Sequence, residues 1–150
     1  MLEALEEAKK AAEIGEIPVG AIIEKDGEIV GRGHNMDRTT KDPTAHAEMI
    51  AIREASQKLG WRLVGCNMYV TMEPCAMCAG ALVWSRIEKL FIGAMDEKAG
   101  ACGSVMNIVQ NEKLNHRIEV ESGIMQEECQ QIVKEFFKKL RIDKKSEDTK

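Results

Sequence analysis

Residues 67–93 read NMYVTMEPCAMCAGALVWSRIEKLFIG, and this stretch has the pattern of a strand, a helix and a second strand. Residues 67–72 form a short run with Tyr, Val and Thr, which is typical of a strand. Residues 75–86 are largely apolar and follow a proline, the residue type that suits the first position of a helix. Residues 88–93 return to the pattern of a strand. Strands that alternate with helices indicate a layered α/β domain.

The alternation continues on both sides of this stretch. Apolar residues at three- to four-residue spacing predict a first helix over residues 2–12. Asp26-Gly27 lies between two apolar runs and predicts a hairpin of two strands, 19–24 and 28–33. Residues 45–60 are predicted to form another helix. Further on, residues 117–122 can form a last strand, and residues 125–142 predict an amphipathic C-terminal helix.

The remaining segments are irregular or polar. Residues 96–115 carry Gly, Ala and Asn and match neither helix nor strand periodicity. The last residues, 144–150, are charged and predict a disordered tail. The chain has no internal repeat and no linker, so residues 1–150 are expected to form a single domain.

Composition excludes several classes of protein. With 44% hydrophobic and 31% charged residues the chain has an ordinary globular composition, and no apolar run approaches the ~18 residues of a membrane span. The first residues are charged and lack the apolar core of a signal peptide, so we expect a cytoplasmic protein. An odd number of cysteines, five, then favours reduced thiols or metal ligation over a disulfide framework.

Two short motifs together predict a metal site. Cys75 and Cys78 are three residues apart, so on a helix they lie on one face and can share an ion. Pro74 indicates a helix start, where the dipole lowers the pKa of a thiol and favours metal binding. His46 lies at the predicted start of another helix and adds a nitrogen ligand. Three ligands are one fewer than a closed structural zinc site uses, so we expect catalytic zinc with Glu48 as the general acid/base.

Each motif taken alone also fits a different kind of site. A lone Cys-x-x-Cys is often a redox pair, part of a structural zinc site or two buried thiols, and a lone His-x-Glu is usually a solvated helix start. A structural site needs a fourth ligand, for which the candidates are Cys66, Cys102, Cys129, His34 and His116. None of them has ligand-like spacing to another. We interpret Cys66 and Cys129 as core thiols and Cys102 as a small residue in a tight loop.

His-Ala-Glu followed by Pro-Cys-Ala-Met-Cys resembles the cytidine deaminase-like superfamily, whose members replace an amino group on a nucleobase with oxygen. The resemblance implies a three-layer α/β/α domain with a mixed central sheet of about five strands. It implies that His46, Cys75 and Cys78 hold one Zn²⁺ per subunit and that Glu48 carries protons. It also implies a homodimer.

Nearly the whole chain resembles one group within this superfamily, the bacterial deaminases that convert the wobble adenosine of an arginine tRNA anticodon to inosine. The stretches that carry the resemblance are IPVGAII, GRGHN, DPTAHAEMIAIREA, YVTMEPCAMCAGALVWSRI, GAMDEKAGACGSVMNI, NHRIEVESGI and the final FF with its basic residues. It implies hydrolytic deamination of that adenosine with release of ammonia. It also implies that Asn35 and the backbone near Ala47 bind the flipped base, and that Asp96 contacts its ribose–phosphate backbone.

Further RNA contacts are expected at Lys98, in the loop after Asp96, and on the C-terminal helix. There Phe137, Lys138 and Arg141 belong to a run with a net positive charge, although the whole chain has a formal net charge of −4. A local basic edge suits a phosphate backbone.

Each of these residues also fits a simpler role. An isolated Asn35 is more often a turn residue, Asp96 can cap a turn, and Phe137 can belong to the core. The basic run can be a solvated helix face. A deaminase of free bases or nucleotides, and a non-catalytic zinc-stabilised RNA-binding module, are the alternative functions.

Overall fold

The computed structural model describes residues 1–149 and shows a mixed sheet with helices on both faces. In chain order the elements are α1 (Leu2–Glu13), β1 (Gly20–Lys25), β2 (Glu28–His34), α2 (Asp37–Thr40), α3 (Ala47–Leu59), β3 (Asn67–Met72), α4 (Ala76–Trp84), β4 (Lys89–Ala94), β5 (Glu119–Ser122) and α5 (Gln126–Asp148). All predicted elements are present. The one-turn helix α2 was not predicted, because it lies in the polar loop after the hairpin.

The sheet contains five strands in the order β2-β1-β3-β4-β5. β1 pairs antiparallel with both β2 and β3, whereas β3, β4 and β5 run parallel. The β1–β2 hairpin turns at Asp26 and Gly27, which both have positive φ angles, of 52° and 83°. This is the backbone that an Asp-Gly hairpin turn requires. The predicted mixed sheet is therefore confirmed.

Two helices cover each face of the sheet, which confirms the predicted three layers. α1 packs on β1 and β2 and contacts α5, while α3 packs on the opposite face of the same two strands and contacts α4. The backbone of α3 approaches β2 so closely that a Cβ atom at Gly33 would overlap the carbonyl of Ala47. This close packing fixes the first turn of α3 against the end of β2.

The core lies mainly between the sheet and the α3–α4 layer. Its contacts are apolar, and burial of this kind of surface supplies most of the driving force for folding. Its members on the helices include Ala47, Ala51, Ala55, Leu82 and Val83, and those on the strands include Ile23, Met68, Val70, Leu90 and Ile92. The terminal helices are less buried, since Leu2 on α1 and Leu140 on α5 are exposed.

The C-terminal helix α5 extends further than its periodicity predicted. It reaches Asp148, so it includes residues 144–148 of the tail that we predicted to be disordered, while Lys150 lies outside the described residues. Residues 141–149 are all exposed. Fraying of this solvated end stays a prediction. In the described part of the chain, residues 1–149, no helix combines the length and the apolar character needed to cross a membrane.

Candidate active site

The site lies where two helices begin, beside the carboxyl ends of strands β2 and β3. α3 starts at Ala47 with His46 as its N-cap residue, and α4 starts at Ala76 with Cys75 in the same role. Both caps have extended backbone conformations, and neither side chain makes a capping hydrogen bond. The positive ends of two helix dipoles therefore meet, which favours negative charge at this position.

His46, Cys75 and Cys78 form a group of three potential ligand atoms. The Nδ1 atom of His46 lies 3.6 Å from the sulfur of Cys75 and 3.6 Å from that of Cys78. All three ligand atoms lie within 4.8 Å of one another. A tetrahedral zinc ion bound by sulfur and nitrogen places these two atom types about 3.5 Å apart. The two nitrogen–sulfur separations therefore fit a zinc ion.

The two thiols of this group differ in their ionisation. Hydrogen bonds from Cys78 and His46 to the sulfur of Cys75 lower the pKa of Cys75 to about 3. The same contact between the sulfurs, together with burial, raises the pKa of Cys78. Because a divalent cation deprotonates the thiols that coordinate it, both sulfurs can serve as ligands.

Glu48 lies one residue inside α3 and is not part of the three-ligand group. Its side chain is only 3% exposed, and its Oε1 atom has no hydrogen-bond partner among the described residues. Burial raises the pKa of this carboxyl group. A carboxyl group of raised pKa that can take up or release a proton beside a metal site is suited to general acid/base chemistry.

A cavity of about 190 Å³ opens onto these groups. Its lining residues are Ile17, Val19, Asn35, Asp37, His46, Glu48, Met72, Glu73, Cys75, Asp96 and Ala99. The structure thus brings together Asn35, His46, Glu48, Cys75 and Asp96, all of which were predicted as site residues.

Asn35 links two segments of the cavity wall. Its Nδ2 donates a hydrogen bond to the carbonyl of Ile17 at 3.2 Å, and its Oδ1 accepts one from the amide of Ala47 at 2.9 Å. The amide of Ala47, which belongs to the backbone predicted to bind the base, is therefore hydrogen-bonded to Asn35. An amide side chain has two N–H donors and two lone pairs on oxygen, so Asn35 keeps one further donor and acceptor for a ligand.

Asp96 also makes local hydrogen bonds. Its Oδ1 accepts from the amides of Lys98 and Ala99 at 3.0 and 3.3 Å, so it does cap a turn. Asp96 is half-buried at the cavity, whereas the side chain of Lys98 is exposed. Both roles, turn capping and lining the cavity, are thus combined in one residue.

Glu73 is a site residue that the sequence patterns did not reveal. It is 4% exposed and lines the cavity directly before the Pro74-Cys75 segment. Burial disfavours its charge, but hydrogen bonds from Ser104 and from the amides of Asp96, Cys102 and Ser104 lower the pKa of Glu73 below its ordinary value. In the sequence Glu73 is only a lone acidic residue beside a metal-ligand motif. Its hydrogen-bond partners lie more than 20 residues further along the chain, so no local pattern indicates them.

The three residues predicted for RNA contact on α5 do not line the cavity. Lys138 and Arg141 are exposed, and the ring of Phe137 packs edge-to-face on Phe136 with a centroid distance of 5.5 Å. The basic run is thus a solvated helix face in the free protein. A role in binding RNA stays a prediction.

The remaining candidate ligands lie elsewhere. Cys66, Cys102 and Cys129 are buried free thiols. His34 pairs with Glu7, with 2.8 Å between Nδ1 and the carboxylate, and His116 Nε2 lies 2.7 Å from the carbonyl of Ile87. Among the described residues, the ligand group has three members. These are the three residues predicted as ligands, and an open coordination position stays a prediction.

Comparisons with known proteins identify the family. The family model of MafB19-like deaminases matches residues 1–141. The chain is 52% identical over 147 residues to the tRNA-specific adenosine deaminase of Bacillus subtilis, which covers 97% of this chain and 91% of that protein.

Two solved structures extend the comparison. One, from work on A-to-I editing by tRNA:A34 deaminases at the wobble position of transfer RNA, superposes with a TM-score of 0.83 at 42% identity and covers 86% of this chain and 94% of that one. The guanine deaminase of Bacillus subtilis superposes with a TM-score of 0.60 at 43% identity, over 63% of this chain and 61% of that one. With its cytidine deaminase-like fold and its His-Cys-Cys ligand group, the chain belongs to the MafB19-like deaminases, and within them to the tRNA-specific adenosine deaminase family.

Proposed function

We infer that this protein deaminates the wobble adenosine of a tRNA anticodon loop to inosine, by hydrolysis and with release of ammonia. The observation that carries this inference is the buried carboxyl group of Glu48 beside a three-ligand metal group, in a chain that belongs to the tRNA-specific adenosine deaminases. Anticodon loops are single-stranded, so a base can be turned out of the loop and held in a pocket.

We propose that His46, Cys75 and Cys78 hold one zinc ion per subunit. Two sulfurs and one imidazole nitrogen are the ligands that zinc accepts, and the 3.6 Å separations support this assignment. When bound, zinc would act as a Lewis acid that lowers the pKa of a coordinated water to about 7.

Glu48 is proposed as the group that carries protons. Replacement of an amino group by a water-derived oxygen requires that a proton leaves the water, that the ring nitrogen is protonated, and that the departing amine receives a proton. Glu48 faces the cavity with an oxygen that is unpaired among the described residues. A single carboxyl group at this position can serve all three transfers.

Asn35, the backbone at Ala47 and Asp96 are proposed to position the substrate. The hydrogen bonds to Ile17 and Ala47 orient the side chain of Asn35 and use one of its two N–H groups. The second N–H can donate to a ring nitrogen of the base. In this arrangement Ala47 acts by orienting the side chain of Asn35. Asp96 faces the same cavity from the loop after β4 and suits a contact with the sugar.

A deaminase of free purines is the second candidate, favoured by the similarity to a guanine deaminase over part of the chain. Incubation of the purified protein with an anticodon stem-loop and with free adenine, guanine and cytosine separates the two. Inosine in the RNA supports the inference, whereas turnover of free bases alone contradicts it. Stem-loops from several tRNAs with A at the wobble position would test whether the substrate is an arginine tRNA, as we propose.

We also propose a cytoplasmic homodimer. The end of α4 presents Trp84, which is 72% exposed, near a surface depression that Leu114 also lines. Trp84 and Leu114, which is 41% exposed, together form an exposed apolar patch, and contiguous patches of this kind mark interaction surfaces. Sedimentation equilibrium at micromolar concentration tests the proposal, and a monomer there would contradict it. Trp84→Glu should dissociate the dimer, while Trp61→Glu, at another exposed tryptophan, serves as the matched control.

A further inference from the structure

The carboxylate of Glu73 accepts four hydrogen bonds from a single loop. Its Oε1 accepts from the amide of Asp96 at 2.9 Å and from the hydroxyl of Ser104. Its Oε2 accepts from the amides of Cys102 and Ser104 at 2.9 and 3.1 Å. A buried carboxylate is stable only when donors satisfy it in this way.

This loop, residues 96–104, forms one wall of the cavity. Asp96 and Ala99 line the cavity, and the amide of Ala101 donates to the carbonyl of Pro74 at 2.9 Å. Glu73 itself donates its amide to the carbonyl of Ala94 at 2.8 Å. Glu73 and Pro74, which directly precede the ligand Cys75, are therefore hydrogen-bonded at several points to this loop and to the end of β4.

The loop leaves no room for a displaced carboxylate. A Cβ atom at Gly100 would overlap the carboxylate of Glu73, so the backbone of the loop passes directly over it. A larger residue at position 100 would force either the loop or the carboxylate to move. The loop is thus shaped around this one side chain.

We propose that Glu73 is a positioning residue for the RNA substrate, because it holds the Asp96 loop in its binding conformation before substrate arrives. Glu73 acts through Asp96 and the loop backbone and does not itself contact the reacting atoms. Because the loop is already ordered in the free protein, binding of the substrate does not spend free energy on ordering it. This inference rests on the proposed function, since it concerns the same RNA.

Glu73→Gln is the sharpest test. The glutamine side chain has one acceptor oxygen where Glu73 has two. Its NH₂ group is a donor, so it cannot accept hydrogen bonds from the backbone N–H groups that it faces. In the metal-loaded full chain with Glu48→Ala, which prevents turnover, Kd for a fluorescent anticodon stem-loop is measured by anisotropy at fixed salt. We expect binding to weaken roughly tenfold, the effect of losing one charge-assisted hydrogen bond. In the active enzyme KM should rise while kcat at saturating RNA changes little.

Two further variants keep the test decisive. Ser104→Ala removes only the hydroxyl donor at an exposed residue and should weaken binding in the same direction even if Glu73→Gln folds poorly. Glu7→Gln is the matched control, because it removes a carboxylate that is equally buried but pairs with Arg32 and His34, outside the lining of the cavity. It should lower the melting temperature and leave Kd unchanged.

A double-mutant cycle with Asp96→Ala distinguishes positioning from independent effects. If Glu73 acts through Asp96, Glu73→Gln weakens binding much less in the Asp96→Ala background than alone. Full additivity, or an unchanged Kd in Glu73→Gln while the parent binds and deaminates the stem-loop, overturns the inference and leaves the proposed function intact. A parent chain that neither binds nor deaminates the RNA overturns both.

Discussion

The Nδ1 atom of His46 lies 3.6 Å from the sulfur of Cys75, although 29 residues separate them in the chain. The contact joins the N-terminus of α3, which packs against the end of β2, to the N-terminus of α4, which follows β3. Neither helix could form this site alone. A metal ion here would therefore link two helices of the same layer.

Loss of one sulfur ligand should abolish metal binding. Cys75→Ala leaves two ligands, too few to hold zinc tightly, so bound zinc should fall from one equivalent per chain to nearly none and deamination should be lost. Zinc is measured by elemental analysis of the purified protein. Cys66→Ala, at a buried thiol outside the group, is the control and should keep its zinc. Full metal content in Cys75→Ala would refute the ligand assignment.

Removal of the proton carrier should separate metal binding from catalysis. Glu48→Gln keeps the size of the side chain but cannot transfer protons in the same way, so kcat should fall by about 10²- to 10⁴-fold. Zinc content and melting temperature should stay close to those of the parent, since Glu48 is not a ligand. Single-turnover deamination of a stem-loop measures the change. A loss of less than tenfold would argue against an acid/base role.

Asn35 should prove important in two separable ways. Asn35→Ala removes hydrogen bonds to Ile17 and Ala47 and should lower the free energy of unfolding by about 1–3 kcal/mol. Asn35→Asp keeps an acceptor for the Ala47 amide but loses every N–H donor. We therefore expect a reduced kcat/KM in Asn35→Asp, measured with the stem-loop. An Asn35→Asp enzyme with full kcat/KM would contradict the proposed contact with the base.

The basic end of α5 should contribute through phosphate contacts. For single-stranded nucleic acid, each phosphate that a protein neutralises adds about −0.7 to the slope of log K against log salt. If Lys138 and Arg141 each contact one phosphate, Lys138→Gln/Arg141→Gln should reduce the magnitude of that slope by about 1.4. Lys58→Gln, on α3, is the control. An unchanged slope in the α5 variant would mean that Lys138 and Arg141 do not contact the phosphates of the RNA.

Glu16 should make stability depend on acid pH. It is buried and accepts hydrogen bonds from the amides of Arg38 and Thr39 and from the hydroxyl of Thr39. Burial opposes its charge, but these hydrogen bonds lower the pKa of Glu16. Its contribution to stability is therefore present above the unfolded pKa of about 4.3 and is lost as pH falls through the lower folded pKa.

Urea unfolding of Glu16→Gln and the parent tests this directly. At pH 7 the variant should be less stable by about 1–3 kcal/mol, and the difference should shrink as pH falls below about 4. A difference that does not vary with pH would mean that the charge of Glu16 contributes nothing.

Much of the fold and of the site could be predicted because it depends on residues close together in the chain. The helices and strands follow from periodicity within a dozen residues, and the Asp26-Gly27 turn from two adjacent residues. Cys75 and Cys78 belong together because three residues on a helix separate them. These features need only the covalent chain and the geometry of one element.

Contacts between distant segments could not be predicted from these patterns. Glu73 is a single acidic residue in the sequence, and its role depends on Asp96, Cys102 and Ser104, which lie 23 to 31 residues away. Asn35 is likewise an ordinary turn residue until α3 packs on the hairpin and brings Ala47 to it.

Periodicity and motif spacing thus predict the elements and the ligand types, and the resemblance predicts the chemistry. The three-dimensional packing shows which groups are buried together, which carboxylates are hydrogen-bonded, and that Glu48 has an oxygen without a partner among the described residues. The physical reason is that burial and hydrogen bonding depend on the packing of whole layers, and no short window of the chain contains that information.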